Sequence, residues 1–174
     1  MISLLDVVSE RLASTWTPVR TEGDAVFAWT PADRLRGDGE RVVEQIREAY
    51  EAFRQRLAHA RILQNHDCQA CLGIGTLDLK FVVHGGTLVV QQLPSQVHLA
   101  GPAVNLAHRL LKNTIADARG IRAYLFVTDA AMELLQLSPN SGTAHQESYP
   151  DAGDVAGRVI PLAVAPTPQG SVPG

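Results

Sequence analysis

The stretch "LAGPAVNLAHRLLKN", residues 99–113, decides how the rest of the chain is interpreted. Gly101 and Pro102 predict the start of a helix, because proline fits the first helical turn and glycine lets the backbone approach a neighbour closely. At about 100° per residue, Asn105 and Arg109 fall on one polar stripe, and apolar residues occupy the other side. Such a stripe is most often a solvated face, but an amide and a guanidinium one turn apart can also bind phosphate.

Composition and charge indicate one globular domain. The chain has 174 residues, 45% of them hydrophobic, and we expect a single domain over residues 1–165 and a disordered Pro/Gly/Ser-rich tail over 166–174. The net charge of -3 provides no basic excess for nucleic acid, so an anionic ligand needs locally placed cations. The N-terminus lacks the positive region of a signal peptide, and no apolar run is long enough to span a bilayer. These features predict no nucleic-acid or membrane partners, and the C-x-x-C spacing of Cys68 and Cys71, which suits reduced thiols, predicts a cytoplasmic protein.

Hydrophobic periodicity predicts alternating helices and strands. The predicted helices cover residues 2–15, 38–63, about 102–115 and 129–137. The predicted strands lie within residues 17–31, 77–93, 122–128 and 154–164. The first two of these strand regions are expected to be hairpins that turn at Gly23-Asp24 and at Gly85-Gly86. The result is an α+β fold, in which helices cover a largely antiparallel sheet. A hairpin after the first helix would normally pair with a strand before that helix, and the sequence has none.

A second candidate site is Asp24, at the tip of the first predicted hairpin. Aspartate is common in turns because it tolerates turn dihedrals. A carboxylate at the end of two strands can also bind a hard cation such as Mg²⁺, with phosphate oxygens as further ligands. Both interpretations of Asp24 stay open when it is considered alone.

Three segments, "EGDAVFAW" (22–29), "LKFVVHGG" (79–86) and "LAGPAVNLAHRL" (99–110), occur in this order. In them the chain resembles the catalytic domains of the class III adenylate and guanylate cyclases, whose motif helix reads G-x-x-V-N-x-A-x-R and would begin here at Gly101. It more closely resembles uncharacterised bacterial cyclase-like proteins with "C-x-x-C" before "LDLKFVVH" and "HRLLKN" after it. The resemblance implies a ferredoxin-like, cyclase-type sheet covered by helices, with its first strand missing here. It also implies a homodimer with sites between the subunits, and it places Gly101 among the nucleotide-binding residues.

The resemblance further implies roles for single residues. In the cyclases two aspartates hold two Mg²⁺ or Mn²⁺ ions, which activate the ribose hydroxyl and bridge the triphosphate. Asp24 matches the second aspartate, Asn105 the residue that positions the ribose, and Arg109 the residue that stabilises the pentavalent phosphorus. Arg20 and His98 stand at the two positions that select the purine. The first aspartate has no counterpart, because the strand that carries it is missing.

These matches predict a cyclase-like protein that binds ATP or GTP and has degenerate or absent cyclase activity; an active form would serve cyclic nucleotide signalling. The alternative is a non-catalytic protein that keeps the cyclase fold for dimerisation or ligand sensing. Separately, His66, Cys68 and Cys71 in the loop "HDCQAC" have the spacing of a partial tetrahedral Zn²⁺ site. A closed site needs a fourth ligand, for which His84 or a dimer mate is a candidate, and two reduced thiols in a loop are the more ordinary interpretation.

Overall fold

The computed structural model describes residues 4–62, 77–93 and 96–163. The helices are α1 (Leu4–Leu12), a 3-10 turn (Ala32–Arg34), α2 (Gly39–Ile62), α3 (Pro102–Leu110), α4 (Ile115–Arg119) and α5 (Asp129–Leu135). The strands are β1 (Thr17–Glu22), β2 (Ala25–Trp29), β3 (Lys80–Val83), β4 (Val89–Leu93), β5 (Gln96–Ala100), β6 (Tyr124–Thr128), β7 (Thr143–Tyr149) and β8 (Gly153–Pro161). Across these ranges, none of the helices has the length and apolar character to cross a membrane.

The strands form one main sheet and two separate hairpins. The main sheet has the order β3-β6-β8-β7, in which β3 runs parallel to β6 and the other pairs are antiparallel. β1 pairs with β2, and β4 pairs with β5, as two-stranded antiparallel units. The predicted α+β class is therefore confirmed. The residues that are described begin at Leu4, the first residue of α1.

The main sheet has an apolar layer on each face. Successive residues of a strand point to opposite faces, so Tyr124 and Phe126 pack with Leu110 of α3 and Ile115 of α4. The residues between them, such as Leu125, join the larger layer on the other face. That larger layer includes the apolar stripe of α2 and side chains of α1 and α5. All five residues of β6 are buried, and β6 forms the centre of the fold.

The hairpin predicted around Gly85-Gly86 is wrong. β3 pairs with β6, and β4 pairs with β5 instead of returning along β3. The two glycines serve close packing: a Cβ at Gly86 would lie 2.8 Å from the Cβ of Ala103 in α3, and one at Gly85 would lie 3.0 Å from the carbonyl oxygen of Ala130 in α5. A glycine pair between two apolar runs has the local signature of a hairpin turn, but here it lets two helices approach the chain.

The helix predicted over 102–115 is interrupted, because α3 ends at Leu110 and α4 begins at Ile115. The Asn113 side chain donates to the Leu110 carbonyl oxygen at 2.7 Å and accepts from the Ile115 amide at 3.1 Å. These local bonds replace helical ones, which is why asparagine often ends a helix. Strands β5 and β7 were not predicted. β7 has the polar sequence "TAHQESY" and lies at the edge of the main sheet, so its alternation is weak.

Candidate functional site

The motif helix α3 begins where the sequence predicts, and Gly101 explains how. Gly101 has φ 125°, in a region that side chains with a Cβ rarely adopt. A Cβ there would also lie 3.3 Å from the carbonyl oxygen of Thr87 and 3.4 Å from the Cα of Leu88. Pro102 is the first helical residue. The start of α3 is therefore held against the segment that leads into β4, and a larger residue in place of Gly101 would move the helix.

The polar residues of α3 lie at the surface, and one of them has an ion-pair partner. The Asn105 side chain is exposed. The Arg109 guanidinium Nη2 donates to Asp151 Oδ2 at 2.6 Å, and the two side chains are 39% and 70% exposed. The Tyr149 hydroxyl donates to the carbonyl oxygen of Arg109 at 3.3 Å. The turn between β7 and β8 therefore holds the C-terminal end of α3.

The β1–β2 hairpin packs against the same helix. The rings of Phe27 in β2 and His108 in α3 are stacked, with centroids 4.0 Å apart and planes inclined by 27°. Asp24 is exposed in the turn of this hairpin, after Gly23 at φ 61°. The stack thus joins the element that carries Asp24 to the helix that carries Arg109. The relative placement of these two elements could not be predicted from the sequence.

A cavity of about 400 Å³ lies next to the Phe27–His108 stack, and Phe27 is one of its lining residues. It is lined by β2, by the segment from Val83 to Leu88, and by α3, α5 and parts of β4 and β5. The described lining residues include no Asp, Glu, Lys or Arg. His84 Nδ1 lies 3.0 Å from Thr128 Oγ1, and burial lowers the pKa of His84, so its ring is neutral at pH 7. This cavity does not suit a polyphosphate, which needs cations.

The other residues implied by the resemblance are placed only in part. Arg20 belongs to β1, where its backbone is opposite Phe27. His98 is half-buried in β5, opposite Gln91.

The predicted zinc ligands, in the loop 66–71, lie outside the described residues and stay a prediction. Among the residues that are described, no group of three or more His, Cys, Asp or Glu side chains could hold a metal ion. Asp24 alone does not fit a site for two ions.

A buried carboxylate at the start of α4 has no role in the sequence analysis. Glu147 in β7 is 5% exposed and its Oε1 accepts from His145 Nε2 at 2.7 Å, from the Thr114 amide at 2.8 Å and from Thr114 Oγ1 at 3.0 Å. Burial raises the pKa of Glu147, but the hydrogen bonds from His145 and Thr114 outweigh this effect and lower the pKa overall. Glu147 and Asp151 were both missed, because Glu147 bonds to Thr114 and Asp151 to Arg109, each more than thirty residues away in sequence.

The fold has a relative among solved structures. The chain is similar to a bacterial light-regulated adenylyl cyclase, with a TM-score of 0.55 and 14% sequence identity. The match covers 90% of this chain and 42% of that one, so the chain spans less than half the length of the cyclase. At this identity the likeness shows the fold alone. The protein has the ferredoxin-like architecture of a nucleotidyl cyclase domain.

The chain belongs to the family DUF2652, described as a protein of unknown function, which it matches over residues 1–119. It is also similar to Uncharacterized protein Rv2561/Rv2562 of Mycobacterium tuberculosis. The two are 32% identical over 152 residues, which cover 86% of this chain and 68% of the mycobacterial protein.

Proposed function

We propose that this protein binds a nucleoside triphosphate, ATP or GTP, at the surface formed by α3 and the β1–β2 hairpin, as a homodimer and with little or no cyclase turnover. The observation that carries the proposal is the stack of Phe27 on His108, at 4.0 Å. It fixes the hairpin that bears Asp24 against the helix that bears Asn105 and Arg109. Two elements in contact therefore carry the Arg109 guanidinium, the Asn105 amide and the Asp24 carboxylate.

The chemistry of these groups suits a phosphate ester. A guanidinium matches two phosphate oxygens in its plane, and an amide can accept from a ribose hydroxyl or donate to a phosphate oxygen. Asn105 is exposed, and the Arg109 side chain is 39% exposed, so both can reach a ligand. The present partner of Arg109 is an exposed carboxylate, Asp151. Exposed ion pairs are worth about 0 to 1 kcal/mol, so a triphosphate with several negative charges can displace Asp151.

Cyclase turnover should be weak or absent, because the ligands for two metal ions are incomplete. Catalysis by two ions needs a set of carboxylates that hold both, and Asp24, which is exposed in a turn, belongs to no group of three or more potential metal ligands in the described part of the chain. One Mg²⁺ or Mn²⁺ bound to the nucleotide itself could contact Asp24 through a remaining position. Binding of a metal–nucleotide complex is thus the part of cyclase chemistry that these residues support.

The test is a thermal shift with 1 mM ATP or GTP plus Mn²⁺, compared with Mn²⁺ alone. Ligand that binds the native state stabilises it by mass action, about 1.4 kcal/mol when its concentration is ten times Kd. We expect a higher Tm for the unchanged protein and no shift for the double variant Asn105→Ala, Arg109→Ala. Arg41→Ala is the matched control, since Arg41 is also exposed and paired with an aspartate, Asp38, at 3.4 Å.

The control variant should keep the full shift. The proposal fails if neither nucleotide raises Tm, or if the double variant responds as the unchanged protein does. Either result would favour the second candidate, a dimerisation or ligand-sensing scaffold. One contact supports that candidate: the 2.6 Å pair of Arg109 with Asp151 gives the guanidinium a structural partner inside the chain.

A further inference from the structure

A second pocket, of about 230 Å³, lies between the end of α1 and the start of α2. Its described lining comes from residues 14–15, which follow α1, from residues 34–35 at the end of the 3-10 turn, and from the start of α2. Asp24, Asn105 and Arg109 are not among these described lining residues. This α1–α2 pocket is therefore separate from the proposed nucleotide site.

One face at the start of α2 forms half of the described lining. Its residues are spaced three and four apart, the spacing that brings helical side chains together: Asp38, Arg41, Val42 and Gln45. Arg41 Nη1 donates to Asp38 Oδ2 at 3.4 Å, and the two side chains are 72% and 47% exposed. Because an exposed ion pair of this kind is weak, the guanidinium and the carboxylate can each bind a ligand instead.

Gln45 gives the pocket wall a hydrogen-bond acceptor that the chain does not use. The residue is 9% exposed. Its Nε2 donates to the carbonyl oxygens of Arg11 at 3.0 Å and Leu12 at 3.4 Å, and to Ser14 Oγ at 2.9 Å. Carbonyl oxygens only accept, so these bonds fix which end of the amide is the oxygen. Oε1 is buried and has no hydrogen-bond partner, which is unfavourable unless a ligand donates to it.

The pocket also has cationic groups and two helix ends. Arg34 is exposed and lines the pocket together with Arg41. A guanidinium matches a carboxylate through two parallel hydrogen bonds. The N-terminal end of α2, a helix of 24 residues, has a positive partial charge, whereas the C-terminal end of α1 has a negative one. One helix end therefore favours an anion, and the other favours a cation.

A ligand with a single charge suits only part of this lining. An anion such as phosphate would bind the guanidiniums, but it would lie near the Asp38 carboxylate and leave Gln45 Oε1 without a strong donor. A cation would lie near two guanidiniums. A molecule that has an anionic group and a hydrogen-bond-donating cation a few bonds apart suits all of these groups, and an amino acid zwitterion has this form.

We propose that the α1–α2 pocket binds a free α-amino acid in its zwitterionic form. The ligand carboxylate binds the guanidiniums of Arg34 and Arg41. The ligand ammonium group donates to Gln45 Oε1 and to Asp38, and it replaces the weak pair of Asp38 with Arg41. Each charged group of the ligand thus has a partner of opposite charge.

The volume and the apolar wall limit the side chain of the ligand. Pockets for drug-sized molecules have about 300 to 1,000 Å³, so about 230 Å³ suits a small amino acid. Leu35 and Val42 are 5% and 2% exposed and provide an apolar wall for an aliphatic side chain. A nucleoside triphosphate has no ammonium group, so the proposal does not depend on nucleotide binding.

The test uses L-valine and two analogues that each lack one charged group, 3-methylbutanoate and 2-methylpropylamine. Each is titrated into the full chain up to about 50 mM, since a ligand of this size is expected to bind with a millimolar Kd. Amide chemical shifts locate the binding, with β7 as an internal reference. We expect saturable shifts at residues 14–15 and 38–45 with valine, and binding weaker by about tenfold or more with either analogue.

Two variants test the assigned groups. Arg34→Gln removes a partner of the ligand carboxylate, and Asp38→Asn removes a charged partner of the ammonium group. Each should weaken valine binding by about tenfold. Arg47→Gln and Glu44→Gln are the matched controls, because both residues are exposed in α2 and neither is in the described lining. The controls should bind valine as the unchanged protein does.

Equal affinity for valine and 3-methylbutanoate would reveal an anion site that ignores the ammonium group, and the proposal would be wrong. Test variants that bind valine as tightly as the controls, or shifts that centre on α3 instead of α2, also overturn it. If valine gives no saturable shift, alanine, serine and leucine are titrated in the same way, and no binding by any of the four amino acids overturns the proposal. None of these outcomes changes the thermal shift expected with nucleotide.

Discussion

The main sheet and the β4–β5 hairpin differ in how their strands are paired and buried. β6 has a neighbouring strand on each edge and buries all five of its residues. β4 pairs with β5 alone among the described strands, and its Val89 and Leu93 are 54% and 44% exposed. Burial of apolar side chains is therefore concentrated around β6 and is low at the β4–β5 hairpin. The turn that carries Asp24 belongs to a similar two-stranded unit, outside the main sheet.

This division assigns stability and the candidate site to different parts of the molecule. A strand that contacts an apolar layer on each face cannot change without disturbing both layers. A two-stranded hairpin is marginal alone and depends on what packs against it. For the β1–β2 hairpin one such contact is the stack of Phe27 on His108. A change in the β1–β2 hairpin should therefore cost less stability than a change in β6.

The largest expected effect compares one phenylalanine from each region. Phe126 in β6 is 0% exposed, and Phe126→Ala should lower the free energy of unfolding by about 3 to 5 kcal/mol, since it removes buried area and leaves a cavity. Phe27 in β2 is half-buried, and Phe27→Ala should lower it by about 1 to 2 kcal/mol, from partial burial and the lost ring contact. Urea unfolding followed by circular dichroism measures both. Equal losses would mean that the hairpin is as integral to the fold as β6.

An intermediate effect is expected at Glu147, which is buried at the edge strand of the main sheet. Its folded pKa is lowered, so the stability it contributes is complete above the unfolded value of 4.5 and is lost as pH falls from there to the folded pKa. Glu147→Gln should cost about 1 to 3 kcal/mol at pH 7 and should flatten the loss of stability below pH 4.5. Urea unfolding at several pH values tests both statements.

Asp154 provides the control for Glu147. It is an exposed carboxylate in β8 whose Oδ1 accepts from Ser148 Oγ at 2.6 Å. Asp154→Asn should change stability little and leave the acid limb of the pH profile as in the unchanged protein. If Glu147→Gln has the acid limb of the unchanged protein, the hydrogen bonds from His145 and Thr114 do not hold the carboxylate in its ionised form. Burial also lowers the pKa of His84, so the loss of stability that His84 causes as pH falls below 6.5 is common to the unchanged protein and both variants.

Local patterns were sufficient to predict a helix or strand where its apolar residues form a regular stripe or an uninterrupted run. The helix predicted over 38–63 is found at Gly39–Ile62, since its apolar stripe repeats over several turns. The strand predicted over 122–128 is found at Tyr124–Thr128, because an uninterrupted apolar run suits a strand buried on both faces. The start of α3 was also predicted, because Gly101 and Pro102 have specific backbone requirements.

Contacts between distant segments could not be predicted in this way. Nothing local in "LDLKFVVHGG" distinguishes a hairpin from a strand that pairs in parallel with β6, more than forty residues later. The ion pair of Arg109 with Asp151 and the stack of Phe27 on His108 likewise depend on how separate elements pack. The candidate site was therefore predicted as a set of residues, whereas its arrangement required the structure.

The smallest expected change in stability is also the one that tests the candidate site most directly. Asp151→Asn removes an exposed ion pair and should lower the free energy of unfolding by less than about 0.5 kcal/mol, as should Asp38→Asn, which removes the pair with Arg41. The two variants should differ in their affinity for nucleotide. If Asp151 competes with phosphate for Arg109, Asp151→Asn raises the affinity for Mn²⁺–ATP or Mn²⁺–GTP severalfold at low salt, and Asp38→Asn does not. Fluorescence or calorimetric titration at two ionic strengths measures this difference. A gain in both variants would reflect only the change in net charge, and unchanged affinity in Asp151→Asn would show that phosphate does not compete for Arg109.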